Sequence, residues 1–487
     1  MAPRYWFFLF LASMTLGFTL DRVQHPASDS LVRFAVESKS LDPNVMREMV
    51  GRLKQQGFDV AGVNRNDGTI EVITTTGGIQ ALKTQGINGS LRESHSASFL
   101  RLDSRYLNSQ KVEDELKSLQ QRFPDLTRLE KIGTSLEGRA IWALLLSTTP
   151  HANDKNALSK PAIIFDGMHH AREIMTPEVV LDVAQTILPE ARSKNSPLAN
   201  ILSRWNIWIV PMLNVDGNNV VWTKNSYWRK NAHADENSKV FGVDLNRNYP
   251  FMWSGCNGSS GSKNSDTYRG DQAASEPEST ALIGLARRVL PTASLSYHSF
   301  SEFVLYPFGC GELRSSENLL HATLGKEMAD MLPSDSNDGS TYVAETPWKL
   351  LYSADGESMS FMHSEFGATA FTFEINQEFQ PDYGMREQTL VKHRKAWQHF
   401  LSRIDRNLLS IRVTQTQNEN FLESATIEFD TIQHQHGEKP FRTNSAGQFF
   451  KVLDPGKYLV RARLPDGRFA EATVEMNGEP KYIELNL

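Results

Sequence analysis

Apolar residues in the middle of this chain gather into short continuous runs, separated by segments of helical period. Ile141-Trp142-Ala143-Leu144-Leu145-Leu146, Ala162-Ile163-Ile164-Phe165 and Ile207-Trp208-Ile209-Val210 show no polar alternation. Such runs predict strands buried on both faces of a sheet. Between them, Val112, Leu116 and Leu119 share a helical face, and Thr176-Pro177-Glu178 opens a helix carrying Val179, Val183 and Ile187. Proline is tolerated at that start because the first helical N–H has no partner within the helix. Strands and helices in turn over 106–405 predict an α/β domain, with a central, mostly mixed sheet flanked by helices.

The pattern changes at both ends. Over 28–90 an alternating strand at 31–36 precedes Asp42-Pro43, a helix start. Val45, Met46, Met49, Val50 and Leu53 then share a face as far as Gly57. Strands at 59–63 and 69–73 flank the hairpin signal Asn66-Asp67-Gly68, and a short helix covers 78–85. This order predicts a small α+β module. The polar stretch 88–105 predicts a linker. Arg92, Arg101 and Arg105 there offer exposed sites to an activating protease, or the stretch is an ordinary connection. From 406 to 487, period-two runs at 411–413, 425–429, 448–452, 458–463, 470–475 and 482–485 are joined by turns such as Asp454-Pro455-Gly456-Lys457. They predict a small antiparallel β-sandwich.

Arg4 followed by the uncharged apolar stretch 5–20 predicts a secretory signal peptide over 1–20, which leaves 21–105 as module and linker. The stretch is short for a spanning helix, which needs roughly 17–25 residues; an uncleaved anchor is the alternative. No later segment is apolar enough to span, so the expected location is extracellular or periplasmic, with no membrane span after signal removal. With 487 residues, 40% of them hydrophobic, the chain can bury more than one core. A net charge of −6, spread along the chain, leaves no basic stripe for nucleic acid. Only Cys256 and Cys310 are present and neither lies in a metal-ligating cluster, which excludes a structural zinc knot. Spacing does not decide whether they pair.

The chemistry starts at Gly167-Met168-His169-His170-Ala171-Arg172-Glu173, just after an apolar run. A His-x-x-Glu spacing at a strand's end supplies two nitrogen and oxygen ligands of the kind catalytic zinc takes. Alone it is weak. Ser294-Leu295-Ser296-Tyr297-His298-Ser299 is a second strand ending in a histidine, fit to be a third ligand. Thr369-Ala370-Phe371-Thr372-Phe373-Glu374-Ile375 carries a carboxylate inside a β-forming run, costly unless used; an edge-strand glutamate facing water is the alternative. Val243-Asp244-Leu245-Asn246-Arg247-Asn248-Tyr249 offers a guanidinium fork suited to a carboxylate. Tyr227-Trp228-Arg229-Lys230-Asn231 puts a cation beside aromatic rings.

In this order and spacing, the five segments resemble the zinc metallocarboxypeptidases, the carboxypeptidase A, B and T type, over about 106–405. The resemblance implies the zinc carboxypeptidase fold and a peptidase that hydrolyses the C-terminal peptide bond of peptides and proteins. It implies one Zn2+ in the catalytic domain, held by His170, Glu173 and His298, with His170 rather than His169 as the working histidine. It further implies Asp244 as the carboxylate that orients the first ligand, and Glu374 as general base and acid toward a zinc-activated water. Arg229 would stabilise the oxyanion, Asn246 and Arg247 would clamp the terminal carboxylate, Tyr352 would close over the substrate, and Arg172 would serve a further subsite. The ten other histidines read as surface or packing residues.

After Tyr352 the family's pocket segment reads Ser353-Ala354-Asp355-Gly356-Glu357-Ser358-Met359. Met359 falls where B types carry an acid, and Leu305, Gly309 and Thr372 match pocket positions that look apolar or neutral. Glu357 falls where A types have a small residue. The expectation is broad specificity, apolar or aromatic first, with some Lys and Arg. Phe300 replaces a tyrosine that A types often have. The module before the catalytic domain stands where the family's propeptide stands; it is an inhibitory prodomain or a permanent accessory domain. The sandwich after it resembles the transthyretin-like module of regulatory carboxypeptidases. The implied partners are peptide C-termini and an activating protease, and the implied state is a monomer.

Overall fold

The computed structural model describes residues 31–487, apart from 39, 41, 65–66, 93–101, 194–195, 197 and 416–423. The signal peptide expected over 1–20 lies outside the described residues. The N-terminal module is a four-stranded antiparallel sheet of β1 (Val32–Glu37), β2 (Asp59–Asn64), β3 (Thr69–Thr74) and β4 (Gly89–Arg92), in the order β2-β3-β1-β4. Helices Pro43–Gln55 and Thr76–Thr84 pack on it: Met46, Val50, Leu53, Ile79 and Leu82 join Phe34, Val36, Ile70 and Val72 in one apolar cluster. Asp42 caps the first helix through Asn44 N–H at 2.8 Å. Val45, expected on the buried face, is exposed. β4 corrects the start of the linker reading, whose stretch 93–101 lies outside the described residues. The stretch Gly89–Arg92 is polar, yet it completes the sheet by pairing with β1. Arg92 there donates to Asp67 at 2.6 Å and Glu71 at 3.1 Å, so it is not a free cleavage point.

The second sheet has eight strands: β5 (Thr127–Thr134), β6 (Ala140–Leu146), β7 (Ala162–Gly167), β8 (Asn206–Val210), β9 (Ala293–Ser299), β10 (Phe303–Leu305), β11 (Val343–Glu345) and β12 (Thr369–Ile375). Their order is β11-β10-β12-β9-β7-β8-β6-β5. Pairing is mixed: β12-β9-β7-β8 run parallel, while β5, β6 and β10 pair antiparallel with their neighbours β6, β8 and β12. Helices Ser109–Arg122, Thr176–Ala191, Pro277–Val289, Asn318–Asp330, Ser358–Phe366 and Arg386–Arg406 flank it. The apolar runs read from sequence lie in this core, with Ile163, Ile164, Phe165, Ile207 and Ile209 fully buried. Parallel register brings the C-terminal ends of β7, β9 and β12 together, so Glu374 stands beside His298 and Gly167 beside Tyr297. Open α/β sheets bind their ligands at such ends.

Two further sheets follow, built from β13 (Leu408–Thr414), β14 (Thr426–Phe429), β15 (Phe441–Arg442), β16 (Gln448–Val452), β17 (Gly456–Arg463), β18 (Phe469–Met476) and β19 (Lys481–Asn486). The orders β16-β13-β19 and β15-β14-β17-β18 enclose a core of Leu409, Ile411, Ile427, Val460 and Ala462. The expected all-antiparallel pairing fails at β13 and β19, which run parallel. Alternation marks a strand but not its partner's direction. Cys256 and Cys310 are joined by a disulfide, with Cα atoms 5.8 Å apart.

Candidate metal centre and substrate cleft

After β7 the chain turns sharply at Met168, a non-glycine residue with φ of 55°. Such a backbone persists only where its surroundings hold it. Here Met168 N–H donates to Thr176 Oγ1 at 3.1 Å, and Asn214 N–H donates to the Met168 carbonyl at 3.0 Å. Beyond the turn the two adjacent histidines take different partners. His169 Nε2 meets the Tyr249 hydroxyl at 2.8 Å, and its Nδ1 lies 3.4 Å from Asp166. His170 Nδ1 faces Glu173 Oε1 at 2.7 Å and His298 Nδ1 at 3.1 Å, while Glu173 Oε2 lies 3.1 Å from the same His298 nitrogen.

One ligand atom from each of His170, Glu173 and His298 lies within 4.8 Å of the others, and all three residues are buried. Two imidazole nitrogens and a carboxylate turned toward one point suit a cation better than they suit each other. The donor set is the His2Glu combination that zinc takes. Burial first, then the Arg229 guanidinium, lowers both histidines' pKa values, His298's to about 3. Both shifts favour the neutral imidazole that ligation requires. The residues fit zinc.

Asp244 ties the centre to the cleft. Its Oδ1 faces His170 Nε2 at 3.1 Å and accepts from Asn246 N–H at 3.0 Å. Its Oδ2 accepts from Arg229 Nε and Nη2 at 3.1 and 2.9 Å. A carboxylate on the far nitrogen of a ligand histidine fixes ring orientation and raises basicity. Burial works to raise the pKa of Asp244, but the Arg229 charge, with the Arg247 charge and the hydrogen bond to His170, outweighs it and holds the group well below the usual carboxylate range.

Glu374 lies between β10 and β9, so the edge-strand alternative is excluded. Burial, then the nearby Glu173 carboxylate, pushes its pKa well above the ordinary value. Asn246 spans the cleft floor: its Nδ2 is 3.4 Å from His298 Nε2, and its Oδ1 accepts from Ser358 N–H at 2.9 Å. Arg247 is oriented by donation to the Asn246 carbonyl at 2.6 Å and the Gly258 carbonyl at 3.3 Å. Met359 is buried on helix Ser358–Phe366. Glu357 precedes it and bonds the Ser360 hydroxyl, and burial raises its carboxyl. Gly309 makes room for that carboxylate: a Cβ there would lie 2.5 Å from Glu357 Oε1.

Sequence reasoning missed the residues that reach this cleft from the N-terminal module. Asp59, at the start of β2, forms a two-point ion pair with Arg172, one arm at 3.1 Å. Lys54, on helix Pro43–Gln55, places Nζ 3.7 Å from the centre of the Tyr352 ring. Burial first, with Arg247 and Arg229 adding to it, pushes Lys54 down to about 7. Phe300 packs with Ile73 of β3 and with Phe379. Nothing in the local sequence marks Asp59 or Lys54, because only docking of the module gives them their partners.

A His2Glu centre, a buried carboxyl beside it and two buried guanidinium groups nearby define a metal-dependent hydrolase site. Residues 112–397 match the family described as zinc carboxypeptidase. The match takes in more than half of the chain, and the chain belongs to that family. It is 33% identical over 251 residues to metallocarboxypeptidase A of Trichophyton rubrum, covering 50% of this chain and 57% of that protein. It is 30% identical over 279 residues to carboxypeptidase B of Bos taurus, covering 56% of this chain and 64% of that one. The chain thus spans less than two thirds of these relatives' length. In fold it is similar to carboxypeptidase A from Helicoverpa armigera, with a TM-score of 0.64 at 23% identity over 77% of this chain and 97% of that one. Bovine thrombin-activatable fibrinolysis inhibitor, solved in complex with tick carboxypeptidase inhibitor, aligns with a TM-score of 0.54 at 26% identity over 61% of this chain and 97% of that one.

Proposed function

We propose that this chain is a secreted zinc exopeptidase that removes the C-terminal residue of peptides and proteins, and that its N-terminal module is an inhibitory prodomain. The observation that carries the peptidase reading is the convergence of His170, Glu173 and His298 beside a buried carboxyl and two cleft arginines.

His170, Glu173 and His298 would hold the zinc, which would supply Lewis acidity and make water a stronger acid. Glu374 takes the proton of the attacking water and returns it to the leaving amine. A carboxyl raised above its ordinary range by burial is suited to both transfers. Arg229, held by Asp244, keeps a fixed guanidinium for the oxygen on which charge develops. Asn246 and Arg247 take the substrate's terminal carboxylate, which confines cleavage to the last peptide bond. Tyr352 closes over the substrate, and Arg172 serves a subsite further along it.

Specificity is broad. Met359 gives the pocket an apolar wall for aromatic and aliphatic side chains, while Glu357, buried against Gly309, admits Lys and Arg. In the intact chain Asp59 occupies Arg172 and Lys54 covers Tyr352, which supports the prodomain reading. An activating protease cutting after the module would expose the cleft of a monomeric enzyme. The disulfide and the leader read at 1–20 support export to an oxidising compartment.

Hydrolysis of hippuryl-Phe and hippuryl-Arg by the protease-treated protein tests the reading. Activity on both is expected, abolished by 1,10-phenanthroline and restored by zinc. Glu357→Ala is expected to lower the Arg/Phe ratio of kcat/KM by about tenfold. Activity that survives chelation would refute the zinc mechanism, and an unchanged ratio would refute the role of Glu357.

A further inference from the structure

Helix Ser358–Phe366 joins the substrate cleft to the C-terminal module. Its first turn belongs to the cleft: Ser358 N–H donates to Asn246 Oδ1 at 2.9 Å, Met359 is buried there, and Glu357 immediately precedes it. Its last turn belongs to the module. His363 Nε2 meets Glu438 Oε1 at 3.2 Å, and Lys439 N–H donates to the Ser364 carbonyl at 2.7 Å. Lys451 Nζ donates to the carbonyl of Gly367, the residue that ends the helix, at 2.7 Å, and to Glu317 Oε2 at 2.5 Å. Gly367 has φ of 68°, and the Phe441 ring fills the space where a side chain would stand.

These contacts are built into the interior. Glu438, Lys451, His363 and Glu317 are all buried. Glu438 uses both oxygens, accepting from Ser316 N–H at 2.9 Å and Gln435 N–H at 2.8 Å besides meeting His363. The other ring nitrogen of His363 faces the Ala368 carbonyl at 3.0 Å, so the imidazole is held from both sides. Its ring also lies against His321 and Phe308, at 4.8 and 5.6 Å between centres, and Phe308 directly precedes Gly309. Buried charged groups are costly to desolvate, and removing one partner leaves the other uncompensated. Such a network fixes geometry, and here it fixes the far end of the helix that carries Met359.

We infer that the C-terminal module is a brace for the specificity pocket: Glu438, Lys439, Phe441 and Lys451 position helix Ser358–Phe366, and through it Met359 and Glu357, against the Asn246–Arg247 clamp. This inference rests on the carboxypeptidase reading for its kinetic consequence, not for its structural one. Glu438 is a positioning residue. It acts through His363, which lies one helical turn and a residue beyond Ser358. Glu374 is anchored separately, by strands on both sides of β12. A loosened brace therefore degrades recognition of the C-terminal side chain and spares the proton transfers.

The test uses the full chain with Glu438→Gln and Phe441→Ala, and Val460→Ala as a control in the module's own core. Hydrogen exchange over 358–368 is expected to quicken in the first two variants and to stay at the wild-type level over 162–175 and in the control. After proteolytic activation, the first two variants are expected to raise KM for Phe-terminated substrates by about tenfold and to narrow the Phe/Ala preference, with kcat within about twofold of wild type. The control should lose thermal stability without a change in KM. Wild-type exchange over 358–368 in both variants would overturn the brace. So would a KM shift in the control as large as theirs, which would mark a merely structural role. A wild-type protein inactive on every C-terminal residue would instead sink the carboxypeptidase reading, with the exchange data still deciding the brace.

Discussion

Glu374 sits in an apolar strand with partners on both sides, and burial together with the Glu173 carboxylate holds its carboxyl well above the usual range. A group so placed is costly to the fold and suited to proton transfer. Glu374→Gln keeps the shape and removes the titrating oxygen. It is expected to cut kcat by about 10²–10⁴-fold, with little change in KM and full zinc content by metal analysis. Turnover near the wild-type level would remove Glu374 from the mechanism, and loss of zinc would recast it as support for the centre. At this scale the sequence was informative: the local pattern put His170 and Glu173 at a strand's end and Glu374 inside a strand. It did not show that Asp244 serves His170, Arg229 and Asn246 at once, because three segments meet there only in the folded chain.

Elements whose own period marks them were legible, and their partners were not. Helix Pro43–Gln55 and strand β2 could be read from caps and alternation, yet their role depends on two residues that face out of the module, Lys54 and Asp59. β4 was missed because a four-residue polar strand has no signal apart from the sheet it completes. The parallel pairing of β13 with β19 was missed because direction is set by the path of the chain between them. The module's contacts argue for the next expectation. Arg172 is buried against Asp59, so Asp59→Ala leaves a buried guanidinium without its partner and weakens docking. In the intact, uncleaved chain, Asp59→Ala with Lys54→Ala is expected to raise hippuryl-Phe hydrolysis by at least about tenfold over wild type. After proteolytic removal of the module the two proteins should match. Equal activity before cleavage would mean that the module is not an inhibitor.

For the molecule as a whole, the interface between the catalytic domain and the C-terminal module is bound to pH through Glu438. Burial tends to raise its carboxyl, but the hydrogen bond and charge of His363, with the Ser316 and Gln435 N–H donors, bring it down to about 2 from an ordinary 4.5. A carboxylate whose pKa is depressed by folding stabilises the folded state above its unfolded pKa, and that contribution is lost as pH falls through the folded value. Here it is complete above about pH 4.5 and gone near pH 2. The depression corresponds to on the order of 3 kcal/mol, or roughly 6–12 °C in Tm for units of 150–250 residues. Glu438→Gln keeps the shape and cannot ionise. Melting curves of the two proteins from pH 6 to pH 2 should therefore differ most at the neutral end, with wild type higher, and converge as the acid limb is crossed. A gap that stays constant across that range would mean that Glu438 contributes through packing alone, and that the joint between the two domains carries no ionised carboxylate.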